Sequence, residues 1–157
     1  MSSAKKNKSG RIPVRRKMRE VVFQVIFGAD ISGFDSEKDL EFMVEDIFID
    51  DKFFNDEMRN IAYRYCKGIV SRKDDLDEII KRYLFNWSWD RLQFVDKNIL
   101  RLATYELLYE SSIPVEVSLN EAVEIAKIYG TEKSGKFVNG ILDSIAKELV
   151  PKEKFLL

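Results

Sequence analysis

Four basic side chains in five positions, Arg15, Arg16, Lys17 and Arg19, precede two phenylalanines four residues apart, Phe23 and Phe27. Guanidinium groups pair with phosphate oxygens, and aromatic rings stack on unpaired bases. The combination therefore suits single-stranded RNA or DNA. Two rings at i, i+4 also suit a second layer of core packing, and the sequence leaves both readings open. Glu20 is the one acid near these arginines, so surface ion pairing explains them poorly.

A second candidate lies near the other end. Gly130-Thr131-Glu132-Lys133-Ser134-Gly135-Lys136 reads G-x-x-x-x-G-K, but Phe137 stands where a nucleotide-binding P-loop needs a Mg²⁺-binding Ser or Thr. The segment also follows a helical pattern where a P-loop follows a buried strand, which argues against an NTPase. What remains is a Lys-bearing loop before a helix, whose backbone N–H groups suit an anion. On that reading Lys133, Ser134 and Lys136 contact a phosphodiester, and Phe137 stacks or packs.

Other chemistry is poorly supplied. The 157 residues contain no His, which removes the commonest general base and metal ligand. Cys66 is the sole cysteine, so an internal disulfide is excluded, and it lies in a helical pattern as a small buried hydrophobe. The acid pairs Asp50–Asp51 and Asp74–Asp75 flank expected helix starts, where carboxylates favour the helix dipole. No catalytic residue, cofactor site or metal site is expected.

Charge is divided along the chain. Of 26 Lys and Arg, eight fall in the first nineteen residues, which hold none of the 27 acids. A basic end on an acidic body points to a polyanionic partner. The Lys5–Lys8 run alone also fits a solubilising tail. No apolar run is long enough to span a membrane, and no apolar stretch follows the basic start as in a secretory signal, so a cytoplasmic protein is expected.

Helices must position these groups. Three Pro, seven Gly and no alternating strand pattern predict an all-α fold. Val14, Met18, Val21, Val22, Val25, Ile26 and Ala29 form one buried stripe, with Pro13 before it and Gly28 and Gly33 bracketing its end. Ser36 caps a second helix bearing Leu40, Met43, Val44, Ile47 and Phe48 on one side, and Asp50–Asp51 breaks it. Phe54 to Ile69 and Leu76 to Tyr83 mark two more helices. Asn86-Trp87-Ser88-Trp89-Asp90 is a break rich in caps and aromatics. Val95–Tyr109 is apolar on most sides and must be central. Ser118 and Glu121 match a capping box, Gly130 suits a left-handed helix end, and Gly140 in the last helix implies a closely approaching neighbour. The expected organisation is a flexible basic tail over 1–12, helical bundles over 13–84 and 85–150, and a tail over 151–157.

These residues resemble a known family. Arg15-Arg16-Lys17-x-Arg19-Glu20-x-x-x-Gln24-x-x-Phe27 looks like the opening helix of the bacterial NusB transcription antitermination factors. Asp96-x-x-Ile99-Leu100-Arg101-Leu102-Ala103-x-Tyr105-Glu106-Leu107 is similar to their central helix. Pro114 to Lys127, with Asn120-Glu121-Ala122, and Gly130 to Asp143, with Lys136-Phe137-Val138-Asn139-Gly140, resemble the last two. The resemblance implies two packed three-helix bundles of six to seven helices. It also implies binding of boxA RNA together with the ribosomal protein NusE, loading onto RNA polymerase, and antitermination in ribosomal RNA synthesis. The RNA-facing positions it implies are Arg15, Arg16, Lys17, Arg19, Gln24 and Phe27, plus Lys133, Ser134, Lys136, Phe137 and Asn139. The NusE-facing surface would involve the region from Tyr83 to Asp96, with Tyr83, Arg91 and above all Asp96 as its contacts. Phe27 stands where the family often has Tyr, which removes a hydroxyl and leaves stacking.

Two rival readings stand beside this one. A similar helical module is joined to ribosomal RNA methyltransferases, but this chain has no room for a catalytic domain. A protein-only module, such as a homodimer seeded by the Trp residues, would put the arginines inside an interface.

Overall fold

A computed structural model describes residues 14–48 and 55–157. The basic tail over 1–12, Pro13, the Asp50–Asp51 break and Phe54 lie outside the described residues. Among the described residues there are seven α-helices and no strand, as the all-α reading expects. The chain forms two compact units, Met1–Ser71 and Arg72–Leu157.

In the first unit α1 (Val14–Ser32), α2 (Glu37–Phe48) and α3 (Asp56–Ser71) pack pairwise on one another. The stripe from Met18 to Ala29 is buried, as are Leu40, Val44 and Phe48 of α2 and Tyr65, Cys66 and Ile69 of α3, whereas Met43 is half-buried and Ile47, expected on the same face of α2, is exposed at its edge. Gly33 ends α1 with φ +75°, its N–H donating to Ala29 O at 2.8 Å. A side chain there would meet the left-handed penalty that glycine escapes. Ser36 caps α2 as its sequence position suggests, its Oγ accepting the Asp39 N–H at 3.1 Å. Asn55 does the same for α3 through the Met58 N–H at 2.8 Å.

The second unit is built around α5 (Phe94–Tyr109), with α4 (Lys73–Lys81), α6 (Val115–Tyr129) and α7 (Ser134–Leu149) packed against it. Every residue of α5 from Asn98 to Leu107 is buried, as expected of a central helix. The division between units falls at 71/72 and not at 84/85 because α4 packs on α5. Residues 151–157 are not a loose tail. A 3₁₀ turn at Lys152–Leu156 touches α6, and Lys154 Nζ donates to Glu106 O and Leu107 O, both at 2.8 Å. Both carbonyls lie in the last turn of α5; Glu106 O already accepts the Glu110 N–H at 3.1 Å, and the ammonium adds a second, charge-assisted donor there.

Three expectations are corrected. Ser118 is no helix cap: Pro114 precedes α6, and Ser118 lies inside it, buried, its hydroxyl donating to Glu106 Oε1 at 2.7 Å. Gly130 is extended, with φ −94° and ψ −166°, and its need for glycine is steric. A Cβ there would stand 2.5 Å from Ser134 Oγ and 2.8 Å from Ala126 O. Gly140 has no close neighbour at all, since a Cβ there would meet nothing within 4 Å.

Candidate nucleic-acid interface

The arginine helix presents fewer cations than its sequence suggests. Arg15 and Gln24 are exposed, and Lys17 and Phe27 are half-buried. Arg16 and Arg19 are 8% and 4% exposed, so burial takes both away from the expected phosphate-binding face. At 3.6 residues per turn they sit on the flank of the apolar stripe, and packing has covered that flank. Phe23 is buried at 2% and meets Phe27 with ring centroids 5.8 Å apart. The second-layer reading therefore holds for Phe23, while Phe27 keeps part of its ring at the surface.

The second unit carries a cleft of about 180 Å³ lined by Trp87, Arg91, Leu92, Gln93, Asp96, Thr131, Lys133, Ser134 and Phe137. It joins positions that the sequence placed in two separate groups: Arg91 and Asp96 from the partner-facing set, and Lys133, Ser134 and Phe137 from the RNA-facing set. Lys136 and Asn139 are exposed on the same helix as Phe137 but do not line the cleft. Tyr83 is buried at 7% exposure and lies outside the cleft.

Each wall has a local cause. Asn86 adopts φ +68°, a conformation that Asn tolerates better than most side chains, and it turns the chain toward Trp87. Trp87 meets Phe137 edge-on, with centroids 5.4 Å apart and planes at 64°. Trp89–Arg91 forms one 3₁₀ turn, and α5 starts three residues later with Asp96 in its first turn. On the opposite wall the Thr131 N–H donates to Ser134 Oγ at 3.0 Å, which closes the loop before α7.

That last contact changes the expected role of Ser134. Ser134 is 1% exposed, and its hydroxyl serves Thr131 and Asp96 inside the protein. A carboxylate thus stands by the start of α7, where an anion was expected, as the helix dipole favours. Burial pushes the Asp96 carboxyl above its ordinary pKa, and the hydrogen bond with Ser134 opposes that shift less strongly. Asp96 Oδ1 is buried without a hydrogen-bond partner among the described residues. An acceptor in that state favours a donor from an incoming molecule.

Burial pushes the Cys66 thiol far above its usual pKa, which keeps it protonated and inert. Among the described residues no group of three or more Cys, Asp or Glu could hold a metal ion, and no helix is long and apolar enough to cross a membrane.

Trp87, Leu92 and Gln93 fall within the expected 83–96 surface and Thr131 within the 130–136 loop, but none of the four is singled out by the sequence as a cleft wall. The Asn-Trp-Ser-Trp-Asp break is the signal for Trp87. Nor does the sequence single out the buried pair in which Arg101 Nε and Nη2 donate to Asp77 Oδ1 and Oδ2 at 2.6 and 2.8 Å.

Residues 16–147 match the model of the NusB family. The transcription antitermination protein NusB of Pseudothermotoga lettingae is 53% identical over 140 residues, covering 89% of this chain and 96% of that protein. The NusB of Thermotoga maritima is 64% identical over 96 residues, covering 61% of this chain and 68% of that protein. A crystal form of T. maritima NusB superposes with a TM-score of 0.80 at 51% identity, covering 91% of this chain and 97% of that one. A crystal structure of antitermination factors NusB and NusE in complex with dsRNA gives a TM-score of 0.74 at 30% identity, with coverage of 85% and 96%.

Proposed function

This chain belongs to the NusB family, and we propose that it acts as an RNA-binding transcription antitermination factor that engages boxA RNA together with NusE. The complex joins the RNA polymerase antitermination machinery and promotes ribosomal RNA transcription in the cytoplasm. The observation that carries this reading is family membership over most of the chain, together with the likeness to a NusB solved with NusE and RNA.

The chain's own residues support a division of labour. Arg15 and Lys17 on α1 hold phosphates, Gln24 offers an amide to a base edge, and the half-exposed Phe27 ring stacks on an unpaired base. On the second unit Lys133, Lys136 and Asn139 are exposed and contact RNA, with Phe137 as a partly open ring. Arg16, Arg19 and Ser134 support these surfaces from beneath, since all three are buried. Asp96 and Arg91 receive NusE, a carboxylate and a guanidinium set in one cleft. Tyr83, being buried, braces that region from below. The protein has no chemistry of its own: it lacks histidine, and its one thiol is buried and protonated.

Transcription through a terminator placed downstream of boxA tests this reading. With polymerase, NusE and the remaining factors present, adding the chain is expected to raise readthrough. Equal readthrough with a template lacking boxA would overturn it.

A further inference from the structure

We infer that Trp89 is a positioning residue: its indole, gripped by cations from α4 and α5, sets the wall of the cleft that carries Arg91 and Asp96. The inference rests on the reading of that cleft as a partner-binding surface.

Three cations converge on one ring. Lys97 Nζ lies 4.9 Å from the Trp89 centroid, Arg101 Cζ 5.4 Å and Lys81 Nζ 5.7 Å. Lys97 also reaches the Phe94 ring, at 5.5 Å. Three positive groups around one small ring repel one another. Two of them are offset by acids, Arg101 by Asp77 and Lys81 by Glu78 at 3.2 Å. The negative face of the indole supplies the rest of the attraction, and most strongly for the buried Arg101, where water competes least. Lys81 comes from α4, Lys97 and Arg101 from α5, so the ring fastens the connection to both helices it joins.

Apart from the buried Leu92 and the Trp87–Phe137 contact, little else holds that connection. Phe85, Asn86, Trp87, Ser88, Asp90, Arg91 and Gln93 are all exposed. The anchor at Trp89 passes directly into the cleft wall. The Arg91 N–H donates to Ser88 O at 3.0 Å and the Leu92 N–H to Trp89 O at 3.1 Å, so a displaced indole carries Arg91 with it. The Lys97 N–H donates to Gln93 O at 3.0 Å, which ties the wall to the turn of α5 that holds Asp96. The Trp87–Phe137 contact fixes the outer edge of the same wall to α7. Trp89 touches no incoming molecule in this scheme and acts through Arg91 and Asp96.

The test compares Trp89→Leu, which removes the aromatic face, with Trp89→Tyr, which keeps one. Affinity for NusE with boxA RNA is measured on the full chain well below the melting temperature. Trp89→Leu is expected to bind about tenfold more weakly and Trp89→Tyr within about twofold of the parent. In a double-mutant cycle, Arg91→Ala should weaken binding in the parent and much less in Trp89→Leu, because the two act through one contact. Full additivity, or unchanged affinity in Trp89→Leu, would overturn the inference. Hydrogen exchange at the Leu92 amide gives a readout that needs no partner: exchange should accelerate in Trp89→Leu and stay near the parent rate in Trp89→Tyr. A parent that binds neither NusE nor RNA refutes the proposed function, while the exchange result still decides the role of Trp89. Should Trp89→Leu fail to fold, Lys97→Gln removes one cation and is expected to shift the tryptophan emission and speed the same exchange. No change in either would contradict the clamp.

Discussion

Arg101 grips Asp77 fork to fork, at 2.6 and 2.8 Å, and so joins the central helix of the second unit to α4. Both side chains are buried, and Arg101 Nη1 also donates to Asn98 Oδ1 at 3.1 Å. Removing one partner strands a charge away from water. Asp77→Ala is therefore expected to cost about 3–5 kcal/mol in urea unfolding. The double change Asp77→Leu with Arg101→Met should cost less than Asp77→Ala alone, because no buried charge remains. A single change that leaves the midpoint where it was would show that water reaches the pair.

Gly130 and Gly140 should respond in opposite directions to alanine. Gly140 lies inside α7 with open space at its Cβ position, so Gly140→Ala is expected to stabilise by about 0.5–1 kcal/mol. Gly130→Ala drives a methyl into Ser134 and should cost about 1–3 kcal/mol, disturbing the Thr131–Ser134 closure with it. Thermal melts of the two variants check the ordering, and a reversal would contradict it.

Asp96 sets fold stability against function. Its carboxyl is pushed above the ordinary 3.8, chiefly by burial, so the folded state prefers the protonated form. That preference contributes stability in full below the unfolded value and is lost as pH rises through the folded one. At neutral pH the ionised group burdens the fold. Asp96→Asn is expected to melt higher than the parent at pH 7, with the advantage shrinking as pH falls toward 4. The same variant should bind NusE more weakly. A melting difference that does not vary with pH would contradict the assignment.

Local chemistry was legible in this sequence where a residue acts on its own helix. Ser36 caps α2, Gly33 closes α1, and the stripe from Met18 to Ala29 is buried, all as spacing alone implies. The four ordered motifs carried the family, because spacing across them is more specific than any one of them. What escaped were contacts between helices. Arg16 and Arg19 flank an apolar stripe, and no pattern within α1 says whether the flank is covered. Ser118 matches a cap by sequence, yet it bonds Glu106 of a neighbouring helix, twelve residues away. Gly130 suits a left-handed helix end by sequence, yet the need for glycine there comes from crowding by Ser134. The cleft unites 87–96 with 131–137, segments that only the packing of α5 against α7 brings together.

Affinity for boxA RNA, measured with and without NusE over a range of salt, tests the central claim most directly. Binding is expected to tighten when NusE is present and to fall as salt rises. Arg15→Ala with Lys17→Ala should flatten the log–log salt slope by roughly 0.7 for each phosphate left without its cation. Binding that ignores both NusE and salt, or a slope untouched by the double change, would contradict the account.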